Sequence, residues 1–215
     1  SDNSIQALKF ENGQWTPKRI GFPHIIDNDE ASRFAGKAWA ALEQQCTMTT
    51  IQLGGKAQTL RKLRDAKLCD ELLIPDLRDT RAEATLAFIN EHQQVVFKPI
   101  WGAQGNAVSL VTLQDDNTYS VQIGSEQQLV SSEEIEAFLD KTFPANRYIA
   151  QKYIHSRTPS GQPFDIRLHL QRGEGGNWKT TKIYARIGQG KTITSNIAGG
   201  GSIADGRAFI EGQFG

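Results

Sequence analysis

The sequence predicts an α+β protein in which helix-bearing lobes are built on antiparallel sheets. Three observations lead to this class. In three segments before residue 93, apolar residues recur at the spacing of a helix with one buried face. Beyond residue 94, short apolar or alternating runs separated by turns are typical of strands. The 215 residues suffice for one medium domain or two small lobes with a buried core.

The elements are predicted from periodicity in chain order. Helices with one apolar face are expected over residues 30–45, 56–73, 80–92 and 133–141. Strands are expected over residues 22–27, 47–53, 95–97, 107–113, 118–123, 148–153, 164–171 and 179–187. The glycine-rich stretch 188–206 is expected to be a loop. We divide the chain into segments 1–54, 55–146 and 147–215, with the break between the two lobes near residues 144–146.

Composition restricts the class of protein. The 24 Lys and Arg residues balance the 24 Asp and Glu residues, so the formal net charge is zero. Proteins that bind nucleic acids or membrane surfaces usually carry a basic excess, and we expect neither partner here. Two cysteines are too few for a disulfide framework or a Cys-rich zinc site. Because the chain has no long apolar stretch and no signal-peptide pattern, we expect a cytoplasmic protein.

The loop after the strand at residues 95–97 combines a lysine with glycines. Lys98 follows that strand, and Gly102, Gln104 and Gly105 lie in the loop. Glycines let backbone N–H groups approach a phosphate closely, and a lysine adds a positive charge. The segment is therefore a candidate phosphate site, although a hairpin with an exposed lysine explains the same pattern.

Two later strands carry groups that suit other parts of a nucleotide. Residues 147–154 can offer backbone N–H and C=O groups to an adenine edge, unless they form a plain core strand. In the strand at 164–171, alternation puts Asp165 and Arg167 on one face. These two side chains suit a ribose hydroxyl and a phosphate, or form a surface ion pair. The glycine-rich loop that follows Arg186 is typical of a mobile lid.

The order and spacing of these segments resemble the ATP-grasp superfamily of carboxylate–amine ligases. The likeness is greatest to the YheC/YheD group, described as endospore coat-associated, through the phrases PFDIRLHLQ, WKTTKIYARIG and SNIAGGGS. The lid segment resembles that of glutathione-synthetase-like members. The resemblance covers about residues 55–202 and implies the ATP-grasp fold, in which ATP lies between two α+β lobes with magnesium on its phosphates.

The resemblance also implies roles for individual residues. Those implied to bind ATP are Lys56, Lys98, Gly102, Gln104, Gly105, Gln151, Lys152, Ile154, Asp165 and Arg167. The lysines and the glycine loop would hold the phosphates, residues 151–154 the adenine, and Asp165 the ribose. Arg186 and Asn196 would be catalytic, because they would stabilise charge on the transferring phosphate and the acyl group.

The implied activity is ATP-dependent ligation of a small-molecule acid to an amine through an acyl-phosphate. The family's magnesium ligands follow the lid in a Glu-x-Asn strand, and this chain ends at Gly215 without one. We therefore expect a truncated C-terminal lobe, a fragment of a longer protein, and no turnover by this chain alone. The alternative from another class is a non-catalytic nucleotide-binding scaffold, or a spore-surface structural protein, of the same fold.

Overall fold

The computed structural model describes residues 4–28, 36–50, 54–67, 69–101, 107–189, 193–195, 197 and 200–215. Gly102, Gln104, Gly105 and Asn196 therefore lie outside the described residues. The chain divides into two compact units, Ser1–Gly54 and Gly55–Gly215. Among the described residues, no helix has the length and apolar character needed to cross a membrane.

The first unit contains a hairpin that the sequence analysis did not predict. The elements of this unit are β1 (Ser4–Glu11), β2 (Gln14–Gly21), β3 (Ile25–Ile26), α1 (Lys37–Gln45) and β4 (Thr47–Met48). Strands β1 and β2 pair antiparallel around Asn12 and Gly13, which both have positive φ. An Asn-Gly pair in this conformation matches the twist of the flanking strands. Strands β3 and β4 pair in parallel.

The second unit contains a larger and a smaller antiparallel sheet, in agreement with the predicted class. The first part of this unit comprises α2 (Lys56–Ala66), β5 (Asp76–Leu77), α3 (Ala82–His92), β6 (Gln94–Pro99), β7 (Ser109–Leu113), β8 (Tyr119–Ile123), β9 (Glu126–Val130), α4 (Ile135–Thr142) and β10 (Tyr148–Lys152). Its sheet has six strands in the order β5-β10-β6-β7-β8-β9. The rest comprises β11 (Phe164–Arg172), β12 (Trp178–Ile187), β13 (Ser202–Asp205) and α5 (Gly206–Phe214). These three strands form the smaller sheet in chain order.

The two faces of the six-stranded sheet have different surroundings. Val95 and Phe97 are fully buried and belong to the hydrophobic core with residues of α3 and α4. The Phe97 ring stacks on Phe143 with 4.0 Å between centroids, which fixes the sheet against the helical layer. Val96 and Lys98 alternate with these residues along β6 and therefore point to the opposite face. That face is left for other contacts.

Several elements differ from the sequence-based expectation. Strand β5 was not predicted, and of the strand expected over residues 47–53 the structure shows Thr47–Met48 as β4. The helix expected over residues 56–73 ends at Ala66, because Lys67 adopts the left-handed conformation that ends many helices. Strand β9 was not predicted, since its exposed glutamines give no apolar alternation at this sheet edge. The stretch expected to be a loop contains β13 and is followed by α5, whose first amides donate to the Asp205 carboxylate.

The predicted break between the lobes lies just before β10. This strand pairs with both β5 and β6, so the six-stranded sheet continues past residue 146 as far as Lys152. The smaller sheet starts at Phe164. The assignment of residues 55–146 and 147–215 to separate lobes stays a prediction.

Candidate functional site

Residues of both sheets in the second unit line a cavity of about 450 Å³. Eight of the residues that the sequence singled out share this cavity: Lys56, Lys98, Gln151, Lys152, Ile154, Asp165, Arg167 and Arg186. They come from segments that are up to 130 residues apart in the chain, from Lys56 to Arg186. The fold thus brings together side chains that were selected from five separate segments.

Lys98 occupies the non-core face of the larger sheet. In the register of β6 and β10, Val96 lies opposite Gln151 and Lys98 opposite Ile149, so all four share this face. The Lys98 ammonium donates a hydrogen bond of 2.5 Å to Oε1 of Gln151, whose side chain is buried. Burial, together with the nearby charge of Lys56, lowers the pKa of Lys98. An anion bound beside Lys98 would stabilise the charged form of the lysine, which burial disfavours.

Lys56 reaches the same region from the first residue of α2. Its Nζ donates to the carbonyl oxygen of Pro99 over 3.4 Å, one residue beyond Lys98. Two contacts hold α2 in place along its length. Arg78 donates to the carbonyl oxygen of Ala57 near its start, and Arg64 pairs with the fully buried carboxylate of Asp76 near its end. Lys56 is therefore carried by a helix that is anchored to the edge of the sheet.

Asp165 is the centre of a hydrogen-bonded group at the smaller sheet. The Arg186 guanidinium donates from Nε to Oδ1 over 2.8 Å and from Nη2 to Oδ2 over 2.5 Å. Ser195 donates its hydroxyl to Oδ2 as well. Burial alone would raise the pKa of Asp165, but the bonds from Arg186 and Ser195 outweigh it and the pKa is lowered. The same pairing raises the pKa of Arg186.

The ion pair considered for Asp165 thus forms with Arg186, its direct neighbour across the strands, and not with Arg167. Arg167 lies on the same face but acts on Asp165 only through its charge. A bidentate guanidinium–carboxylate pair fixes both planes and therefore orients Arg186 within the cavity. Among the described residues Arg167 forms no ion pair, so its guanidinium can meet another anion.

Close packing at Gly188 holds Ser195 against Asp165. The Gly188 amide donates to the Pro163 carbonyl oxygen over 2.7 Å. A Cβ at this position would come within 2.5 Å of the Thr194 carbonyl oxygen and 2.8 Å of Pro163 Cγ. Only glycine fits without displacement, so the residue after β12 has a packing role at the cavity. The remainder of the predicted lid, at residues 190–192, 196 and 198–199, lies outside the described residues.

The segment expected to meet adenine contributes both apolar surface and backbone groups. Its neighbours Ile74, Val96 and Val108 give the cavity an apolar side. The amides of Lys152 and Tyr153 are already used, since they donate to Pro75 and Gln94 carbonyl oxygens over 2.9 Å. In the part of the chain that the structure describes, the amide of Ile154 has no such acceptor. It is the first amide after β10 that remains available to a ligand.

The charges that line the cavity are unequal in number. Its cationic residues are Lys56, Lys98, Lys152, Arg167 and Arg186, and among the described residues its one carboxylate is Asp165. A polyanion with an apolar ring therefore fits this lining. A divalent metal does not, because Asp165 is already engaged by Arg186 and Ser195 and the described residues contain no cluster of three potential metal ligands.

Several lining residues were not among the sequence candidates. Ser195 is buried and bonds to Asp165, and its position beside Asn196 was the one signal that could have drawn attention to it. Ile74, Val108 and Pro163 shape the apolar side of the cavity. Single apolar residues of this kind give no sequence signal, because any buried position would use them.

Comparison with known proteins gives a family match over most of the chain. The family model of YheC/D-like ATP-grasp proteins matches residues 45–215. The endospore coat-associated protein YheC of Bacillus subtilis (strain 168) is 26% identical over 151 residues, which are 69% of this chain and 42% of that protein. This chain thus spans less than half the length of that relative.

Two solved structures are similar at low identity. The ATP-grasp ligase PsnB, complexed with minimal precursor, Mg and ADP, is 12% identical with a TM-score of 0.39; the match covers 81% of this chain and 74% of that one. A RiPP-associated ATP-grasp ligase of Chryseobacterium gregarium, in complex with ADP and a leader and core peptide, is 13% identical with a TM-score of 0.42. That match covers 93% of this chain and 62% of the ligase. The likeness is remote in both cases.

Proposed function

This chain belongs to the YheC/D-like ATP-grasp family, and from that premise we propose that its cavity binds ATP as part of an ATP-dependent carboxylate–amine ligase. The fold class follows from the family. The nucleotide, the acid and amine substrates and the activity of the whole protein are the content of the proposal.

The observation that carries the proposal is the excess of cationic side chains in a partly apolar cavity. Four cations besides Arg186 line it, while its described carboxylate is already paired with that arginine. Burial of Lys98, and to a lesser extent the nearby charge of Lys56, lowers the pKa of Lys98, and an anion bound beside it would offset both effects. A triphosphate provides the missing negative charge, and its purine ring suits the apolar side.

We assign the parts of the nucleotide from the chemistry of the lining and, for Gly102, Gln104, Gly105 and Asn196, from the family resemblance alone. Lys98 and Lys56 hold phosphate oxygens, with cover from the loop that contains Gly102, Gln104 and Gly105. The ring lies toward Ile154, whose amide offers a hydrogen bond, and toward Gln151 and Lys152. Asp165 faces the ribose side, while Arg167 and Arg186 meet the terminal phosphates. Asn196 completes the proposed set of catalytic residues with Arg186.

The proposed reaction has two steps. A substrate carboxylate oxygen attacks the γ-phosphorus, and the bond from that phosphorus to the β,γ-bridging oxygen breaks to release ADP. An amine then attacks the acyl carbon, inorganic phosphate leaves, and the amine loses a proton to give an amide. Arg186 stabilises the charge on the phosphoryl group in the first step and on the acyl oxygen in the second.

Magnesium is part of the proposal through the family alone. When bound with ATP, the ion would neutralise charge on the β- and γ-phosphates. The described residues do not form a site for it, and no role is assigned to any of them in holding it. A scaffold that binds nucleotide without turnover is the second candidate, and the coat association of the relative YheC is compatible with it.

Calorimetric titration tests the proposal directly. ATP and ADP, each with magnesium, are titrated into the chain, and one binding site per chain is expected, with ADP displacing ATP. The Arg186→Met variant should bind ATP more weakly because the arginine is lost from the phosphate end. Absence of saturable binding by the folded parent would contradict the proposal. A protein extended to the natural stop codon of its gene that binds ATP, but releases no phosphate from it with any tested acid and amine, would favour the scaffold.

A further inference from the structure

The cavity-facing side of the smaller sheet continues outward as a row of basic side chains. Arg167 and His169 alternate along β11, and Lys182 lies directly opposite His169 on β12. All three are exposed, unlike Arg186, which is largely buried at the cavity. We call Arg167, His169 and Lys182 the cationic row; Arg167 and Lys182 carry its charge, and His169 contributes a ring N–H donor. It begins at the cavity, which Arg167 also lines, and leads away from it.

Negative charges near the cationic row are already engaged. Asp165 accepts from Arg186 and Ser195. Asp205, which lies opposite Tyr184 on β13, accepts from the amides of Arg207 and Ala208 at the start of α5. In the described part of the chain, the row forms no ion pair of its own. Lys182 is held by an aromatic face, since its Nζ lies 5.5 Å from the centroid of the Tyr184 ring.

The spacing of the row matches an extended chain. Residues two apart on a strand lie about 6.8 Å from each other on the same face, and Arg167 and His169 are two apart on β11. An extended peptide repeats its side chains at the same interval. Carboxylates on alternate residues of such a peptide would meet first Arg167 and then the pair of His169 and Lys182, which lie directly opposite each other on β11 and β12. A single phosphate is shorter than the interval between these two positions.

We propose that the cationic row binds an acidic peptide in extended conformation, with carboxylates on alternate residues, and leads one of its carboxyl groups to Arg186. The inference rests on the proposed ligase function and specifies its acid substrate as a polycarboxylate segment. The row recognises the carboxylates that do not react, while the one beside Arg186 reaches the phosphoryl group. Exposure keeps the row strongly hydrated, so charge complementarity contributes selectivity and on-rate more than tight affinity.

Fluorescence anisotropy with a labelled peptide of four Glu-Thr repeats tests the inference. We expect saturable binding that weakens as salt is added, and no comparable binding of the peptide with Gln in place of Glu. Lys182→Glu should weaken binding about tenfold, and Lys182→Gln should do so to a smaller extent. Lys141→Glu makes the same change of charge on α4, far from the row in the fold, and should leave affinity within about twofold of the parent.

The inference is overturned if the peptide does not bind, if both charge reversals have equal effects, or if the Gln peptide binds as well as the Glu peptide. Displacement by an oligothymidylate of eight nucleotides at lower concentration than by the unlabelled peptide would also overturn it, since the row would then be a nucleic-acid site. ADP titration of the same samples separates this result from the proposed function. If ADP binds and the peptide does not, only the proposal that the cationic row binds an acidic peptide is overturned. If the peptide binds and ADP does not, the assignment of the cavity to a nucleotide is overturned.

Discussion

Replacing Lys98 with methionine removes one positive charge from the cavity and keeps most of the aliphatic stem. In the proposed complex the lysine makes a charge-assisted hydrogen bond to a phosphate oxygen in partly desolvated surroundings. Such bonds contribute roughly 1.5–3 kcal/mol. The Lys98 ammonium is already partly removed from water in the free protein, so part of the cost of that removal does not recur when ATP binds. The loss corresponds to a roughly 10- to 150-fold weaker ATP complex.

Two features of the structure place the effect within this range. The 2.5 Å bond to Gln151 holds the ammonium in position, so little side-chain freedom remains to be lost on binding. The lowered pKa of Lys98 means that its charge is poorly stabilised without a ligand, and an arriving phosphate relieves this. Lys56 also reaches the region and would retain part of the attraction in the variant.

Isothermal titration of ATP with magnesium at pH 7 measures the effect, with circular dichroism to show that the variant is folded. Lys141→Met is the matched control, because it removes an exposed lysine from the helical layer on the other face of the sheet. It should bind ATP like the parent. Equal affinity of the parent and Lys98→Met would refute the assignment of Lys98 to the phosphates.

Three further outcomes are expected. Gly188→Ala should lower the free energy of unfolding by about 1–3 kcal/mol through overpacking. Gly212→Ala, whose added methyl group has free space in α5, should leave that free energy unchanged or raise it by up to about 1 kcal/mol. Equal effects of the two variants in urea unfolding would contradict the close packing at Gly188. Asp165 has a lowered pKa, so the free energy of unfolding of the parent should fall as pH falls from 3.8 through that pKa. Asp165→Asn should lack this loss. The same dependence of stability on acid pH in both proteins would argue against the pairing of Asp165 with Arg186. Lys98 also has a lowered pKa, so the free energy of unfolding of the parent should rise as pH rises through that pKa toward 10.5. Lys98→Met should not show this rise. If the variant shows the same rise, the alkaline gain in stability belongs to another group.

Local sequence patterns predict the strands that carry an apolar run or an apolar alternation. The run from Val95 to Phe97 marks β6, where all three residues are buried. The alternation from Asp165 to Leu170 marks β11, although both faces of that strand are largely exposed. The hairpin of β1 and β2 carried a signal at Asn12-Gly13 that the apolar pattern alone did not reveal. Strand β9 is polar at a sheet edge, so neither signal was present.

The pairing of side chains in the candidate site was less accessible from the sequence. Lys98 and Gln151 are 53 residues apart, and Asp165 and Arg186 are 21 apart. Each pair depends on strand register, and a shift of one residue would turn the side chains to opposite faces. The sequence therefore indicated which residue types suit a nucleotide, while the partners of those residues required the structure.

The division of β6 between its two faces separates the effects of neighbouring substitutions. Val95 and Phe97 pack into the core, so truncating them should mainly raise the fraction of unfolded protein. Val96 and Lys98 line the cavity, so changes there should alter occupancy by a ligand. Val96 is also buried, at 5% exposure, so its truncation should affect folding as well as binding. A scan along this strand would then separate the core positions, which act on folding, from the cavity positions, which also act on binding.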